Sequence, residues 1–259
     1  MQDRYEVGIV SRMDSDFRVL DGCTIGEPGD PCLDDWREGK GVYTSNGGTV
    51  GIVYRSGPDA PDPDLFVFGL PGDFRGYFPG YSDTLLEDHR SFTWAVLKGH
   101  TKNTAGTVTL RSTDPLDTPK IQFKYFDEGT TAGGADTHDL DAMVAGVDLA
   151  RRIGKRVDDL MLFSSFDEVW PGTAVSTPDD VRDFVRAEAW GHHASCTCKI
   201  GADDDPMAVL DSKFVVRGTE NLRVVDASSF PRIPGFFIVV PIYMLAEKAT
   251  DEILSARPA

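Results

Sequence analysis

Residues 190–229 read WGHHASCTCKIGADDDPMAVLDSKFVVRGTENLRVVDASS, and two adjacent histidines, His192 and His193, stand just ahead of Cys196 and Cys198. Imidazole and thiolate are both zinc donors. Structural zinc sites, however, draw on two separated ligand pairs so that four side chains can converge tetrahedrally. Neighbouring histidines in an extended segment point to opposite faces. The spacing therefore argues against zinc, and no metal is expected here. The two cysteines are expected to be small buried hydrophobes, the commonest fate of free Cys. A lone histidine is more often structural than catalytic, so the flanking sequence has to decide its role.

Downstream of Gly201 come an acidic loop holding DPMAVLD (205–211), a strand pair KFVVRGTENLRVVD (213–226) and a Ser/Pro loop ASSFPRIPG (227–235). The second strand should end at Asp226, and carboxyl ends of such strands are where α/β sheets present ligand-binding backbone. A helix beginning near Pro241 is expected to bury Ile242, Leu245, Ala246 and Ala249. Asp203, Asp204 and Asp205 form only a short run in what reads as an exposed loop, a poor setting for paired-carboxylate chemistry.

Upstream, GTVGIVYRS (48–56) and LFVFGL (65–70) are β-rich, and GPDAPDPD (57–64) between them is a loop. In GTVTLRSTDPLDTPKIQFKYF (106–126), Val108 and Leu110, then Ile121, Phe123 and Tyr125, alternate with polar residues around a DPLDTP turn, which predicts a hairpin. Leu140, Met143, Val144 and Val147 make one apolar helical stripe. Thr177 is placed to cap a further helix, with Pro178 at its first position, Asp179 and Asp180 near the positive end of the dipole, and Val181, Phe184 and Val185 as its buried face.

The chain has 259 residues, 41% of them hydrophobic, enough for one sizeable domain or two modest ones. Its 42 acidic residues outnumber 26 basic ones for a net charge of −16, which repels phosphate backbones and anionic membrane surfaces. Nucleic acid is thereby disfavoured as a partner. The start MQDRYEVGIV lacks a basic n-region and a long apolar stretch, and nothing approaches the roughly 20 apolar residues of a membrane span. A cytoplasmic protein with reduced thiols is expected, because four cysteines in a chain this long do not make a disulfide framework.

The order HASCTCKIG (193–201), DPMAVLD, LRVVDASSFP (222–231) and AEKA (246–249) resembles the C-terminal segment of the glucose-methanol-choline (GMC) oxidoreductases. The family pattern there is a His, a short link, Gly-Thr-Cys-Lys-Met-Gly, Asp-Pro-Met-Ala-Val-Val-Asp, Leu-Arg-Val-Val-Asp-Ala-Ser and Ala-Glu-Lys-Ala. GTVTLRSTDPLDTPKI and the opening QDRYEV also resemble family segments, so the likeness covers essentially the whole chain but only about the second half of a full-length member. No Gly-x-Gly-x-x-Gly occurs, so the element that cradles a dinucleotide pyrophosphate is absent from this sequence.

The resemblance implies an α+β fold: a mixed β-sheet substrate domain with packed helices, plus the C-terminal strand and helix that complete an FAD-binding domain absent from this chain. Residues 1–100 would form a β-rich part and 101–259 the GMC C-terminal domain. It implies an FAD-dependent oxidoreductase acting on the CH–OH group of a small-molecule alcohol, present here as a fragment. The missing FAD-binding half, or a second copy of the chain, is the expected partner. His193 falls on the family's catalytic base. Asp226 and Ala227 fall on an Asp-Ala pair whose backbone lies against the flavin. Cys196 replaces a family glycine. Phe237, expected in the substrate pocket, falls where the family has a second active-site His or Asn, so either another residue assists His193, or the alcohol is oriented by shape in an apolar pocket, or activity is impaired. A noncatalytic β-rich binding module without flavin is the alternative reading.

Overall fold

The computed structural model describes residues 1–86, 88–160 and 165–256. These fall into two compact units that interleave along the chain: Glu6–Lys98 with Leu140–Trp190, and Met1–Tyr5 with Gly99–Asp139 and Gly191–Ala259. The chain passes between units at Tyr5–Glu6, Lys98–Gly99, Asp139–Leu140 and Trp190–Gly191, so neither unit is a single stretch of sequence.

The first unit is built on a five-stranded sheet. Its strands are β1 (Glu6–Met13), β2 (Val50–Tyr54), β3 (Leu65–Leu70) and β4 (Ser91–Lys98), with a later strand, Phe166–Trp170, at the far edge; in order they run β2, β3, β4, β1, then that last strand. Every adjacent pair is antiparallel, so the α+β class holds while the sheet is antiparallel rather than mixed. β4 is buried along all eight residues, as a central strand should be, and β3 alternates with Leu65, Val67 and Gly69 inward. The long helix Ala135–Leu160 lays Leu140, Met143, Gly146, Val147 and Ala150 inward, close to the stripe read from the sequence; Val144 is only half-buried. A bidentate pair from Arg151 to Glu168, at 2.9 and 2.7 Å, ties this helix to the edge strand.

The helix at Pro178–Glu188 starts as its sequence requires. Thr177 accepts from the Asp180 N–H, the Asp180 carboxylate accepts from the Thr177 N–H, Pro178 occupies the first turn, and Val181, Phe184 and Val185 are buried. Two short helices, Pro31–Arg37 and Tyr81–Leu86, complete this unit. The expectation of reduced thiols fails at Cys23 and Cys32, which form a disulfide with Cα atoms 5.2 Å apart. The intervening TIGEPGDP carries Gly26 and Gly29 at φ +84°, a left-handed conformation that folds the segment back on itself. Asp30 then holds the turn, accepting from the N–H groups of Thr24 and Cys32 and from the Tyr43 hydroxyl.

The second unit is mostly irregular backbone. The predicted hairpin forms, pairing Thr107–Thr109 with Lys120–Gln122, but each strand has three residues because Lys124 and Phe126 take positive φ and end the alternation. The predicted strand ending at Asp226 does not form. Phe214 (φ +66°) and Asn221 (φ +60°) break the ladder, leaving the single bridge Val215–Arg223. The C-terminal helix runs Val239–Ser255; Ala249 is buried, while Ile242, Leu245 and Ala246 are half-buried. No helix among the described residues is long and apolar enough to cross a membrane.

Two glycines of the long helix separate packing from propensity. A Cβ at Gly146 would collide with Val96 Cγ1 on the sheet, whereas one at Gly154 would meet only Phe166 ring atoms at ordinary contact, 3.5 Å. Gly146→Ala should destabilise the chain by about 1–3 kcal/mol through overpacking, and Gly154→Ala should stabilise it by roughly 0.5–1 kcal/mol through helix propensity. Urea unfolding midpoints that move in the same direction for both would contradict this packing.

Candidate active site

His193 is placed by the first five residues of the chain. Gln2 exchanges two backbone hydrogen bonds with Ser195, at 3.0 and 2.8 Å, and Asp3 accepts the His193 N–H on Oδ1 at 2.9 Å. The same oxygen accepts the Arg4 N–H at 2.8 Å, and Oδ2 accepts the Tyr125 hydroxyl at 2.6 Å. Gly191 is required beneath this carboxylate, since a Cβ there would collide with the Arg4 carbonyl, Asp3 Oδ2 and the Tyr125 hydroxyl. Burial pushes the Asp3 carboxyl up, against the opposing pull of its three donors and of His192.

The His193 ring meets Phe237 edge-on, with centroids 6.4 Å apart. Both line an open groove of about 380 Å³ with Ile238, Val239, Ile242 and Tyr243. His193 Nδ1 is buried and has no hydrogen-bond partner among the described residues. Burial, with the charges of His192 and Arg4, depresses its imidazole to about 4, so the ring is neutral near pH 7. The two adjacent histidines do not point to opposite faces as expected: their ring centroids lie 4.3 Å apart, because the segment is irregular rather than a strand.

The remaining motif residues assemble around this point. Cys196, Cys198 and Ile200 donate their N–H groups to the carbonyls of Ala227, Ser228 and Ser229, so the HASCTCKIG and VVDASS segments run side by side. Asp226 caps a short turn at Ala227–Ser229, accepting the Ser228 N–H at 2.7 Å. Asp205 accepts from Lys199 Nζ at 2.6 Å and from the Met207 N–H at 2.9 Å, which makes it a loop clamp. Cys196, which replaces the family glycine, sits at φ +73°, a conformation glycine adopts without strain. Its Sγ lies 3.7 Å from Gln2 Oε1, and burial raises the thiol to about 11; it and Cys198 are half-buried rather than core residues.

The structure thus brings His193 and Phe237 to one groove and sets Asp226 and Ala227 along the strip of chain that leads from it. Sequence reading missed Asp3, Tyr125 and Gly191. Gln2, Asp3 and Arg4 are 8%, 6% and 0% exposed, and a polar run such as QDRY carries no local signal of that burial.

A histidine with a depressed folded pKa adds stability that is complete above its unfolded value of about 6.5 and is lost as pH falls from there. The stability difference between the native chain and His193→Gln should therefore shrink between pH ~6.5 and ~4 and level off below, and the His193 Cε1–H resonance should titrate near 4. A midpoint at the ordinary ~6.5 would contradict the buried placement of the ring.

Comparison with known proteins gives the chain's family. The family model for GMC oxidoreductases matches residues 102–246, more than half of the chain. An oxygen-dependent choline dehydrogenase of Vibrio vulnificus (strain YJ016) is 42% identical over 154 residues, covering 59% of this chain and 26% of that protein. The mitochondrial choline dehydrogenase of Homo sapiens is 35% identical over 224 residues, covering 86% and 34% respectively. A structure of Aspergillus oryzae RIB40 formate oxidase, determined for the effect of a mutation on modification of its FAD, superimposes with a TM-score of 0.75 at 20% identity, over 98% of this chain and 46% of that one. The chain spans about a quarter to a third of the length of these curated relatives. With its family segment running through His193, Asp226 and Phe237, the chain belongs to the GMC oxidoreductases.

Proposed function

We propose that this chain is the substrate-side part of an FAD-dependent oxidoreductase acting on the CH–OH group of a small alcohol, with His193 as the base. One observation carries the reading: a neutral, half-buried imidazole, its Nδ1 without a partner among the described residues, opens on an apolar groove. A packed core histidine would have its ring nitrogens satisfied.

The residues present fit a flavin on two counts. Phe237, Val239, Val240, Tyr243 and Met244 are 43–69% exposed, an apolar strip of the kind a bound group or a partner domain covers. The Ala227 N–H opens a short turn and has no carbonyl within that turn to bond, so Asp226 and Ala227 would hold polar atoms of the cofactor. FAD, when bound, supplies the hydride acceptor.

His193 takes the substrate hydroxyl proton on its imidazole, which must be neutral to do so. Phe237 offers no hydrogen bond where the family has a His or Asn, so the alcohol is oriented by the shape of Phe237, Ile238, Val239 and Ile242, and the base works without a polar assistant on that side. An apolar alcohol suits such a groove better than a heavily hydroxylated one.

The test supplies the FAD-binding half by fusion to a relative and follows flavin reduction by stopped flow. His193→Ala should slow reduction by about 10²–10⁴-fold, roughly 3–5 kcal/mol of transition-state stabilisation, with a much smaller loss for His192→Ala. The native rate should hold from neutral pH downward and fall only on approach to about 4, where the base becomes protonated. A His193→Ala rate within a few-fold of native would remove His193 from the mechanism, and a larger loss at His192 would transfer the role to its neighbour.

A further inference from the structure

We propose that Asp3 is the positioning residue of the His193 base, holding the histidine's main chain through its carboxylate so that the ring is delivered to the groove. This rests on the reading of His193 given above.

Three donors converge on one carboxylate that is 6% exposed, and one of them is the N–H of His193 itself. The Asp3 carbonyl accepts from Thr101 Oγ1 at 2.8 Å, so the residue is held from behind as well. On either side of it the contacts continue. Gln2 pairs with Ser195 through the backbone, Gln2 Oε1 accepts the Ile233 N–H at 3.1 Å and lies beside Cys196 Sγ, and the Arg4 guanidinium donates to the Pro234 carbonyl. Residues 2–4 therefore bind both chain segments that lead to the groove, 193–196 and 233–234. Packing alone would not select a carboxylate, because a buried charge is costly unless its acceptor sites are filled. Asp139 gives the contrast: it too is fully buried and accepts two N–H groups, but those belong to Lys102 and Asn103 and clamp a different loop. In catalysis, a displacement of the base by about 1 Å can cost roughly 10²-fold in rate, so an anchor of this kind has functional weight.

The test uses the 259-residue chain and two resonances of His193, its backbone amide and its ring Cε1–H. Asp3→Ala should lower amide protection from hydrogen exchange by at least about tenfold and move the ring midpoint upward by at least about one pH unit, as the imidazole gains water. Asp3→Asn keeps an acceptor for both N–H groups and should retain protection within about threefold. Tyr125→Phe frees the carboxylate on one side and should weaken protection by about threefold or more, which decides the matter if Asp3→Ala fails to fold. Unchanged protection and midpoint in Asp3→Ala, unchanged protection in Tyr125→Phe, or equal losses in Asp3→Asn and Asp3→Ala would overturn the proposal. None of these readouts needs flavin, so they can fail while His193 remains the base, and hold if it does not.

Discussion

A carboxylate removed from water must find donors or lose its charge, and the second unit is organised around that demand at Asp3. Its donors come from residues far apart in sequence, Tyr125 and His193, as well as from its neighbour Arg4. Satisfying them fixes the entry of the 191–201 segment, and Gly191 is there because no side chain fits beneath the carboxylate. Once that segment is fixed, the N–H groups of Cys196, Cys198 and Ile200 meet the carbonyls of residues 227–229, and the acidic loop closes back on Lys199 through Asp205. Much of this unit has no regular secondary structure, so specific side-chain contacts of this kind do what a sheet ladder does in the other unit.

The same contacts set the chemistry. His193 is enclosed enough for burial to hold its ring neutral, with Arg4 and His192 adding to the effect. A low proton affinity makes the imidazole available as a base over a wide pH range, at the expense of basic strength. Phe237 keeps its side of the groove apolar. The acidic surface, at −16 overall, leaves neutral or cationic small molecules as the species that approach without repulsion.

Features encoded locally could be read from the sequence. Thr177 with Pro178 and Asp180 is a complete helix start within four residues, and Leu140, Met143 and Val147 define a helix face by spacing alone. The choice of His193, Asp226 and Phe237 as candidates rested on motif order rather than on periodicity. What escaped the sequence depends on contacts between distant residues or on unusual backbone angles. Nothing in QDRY announces burial beside residues 190 places away. Positive φ at Phe214 and Asn221 ended a strand whose composition, RVV, is otherwise β-forming. Paired glycines closed Cys23 onto Cys32 despite a cysteine count that did not suggest a framework.

The account depends most on Asp3 being enclosed by its donors, and a carboxyl ¹³C titration of that single residue tests it directly. Burial should place the Asp3 midpoint above the ordinary ~3.9, with the His193 amide ¹⁵N resonance shifting through the same midpoint because its hydrogen bond weakens as the carboxylate is protonated. A midpoint at the ordinary ~3.9 with no response from the His193 amide would place Asp3 in solvent and contradict the account.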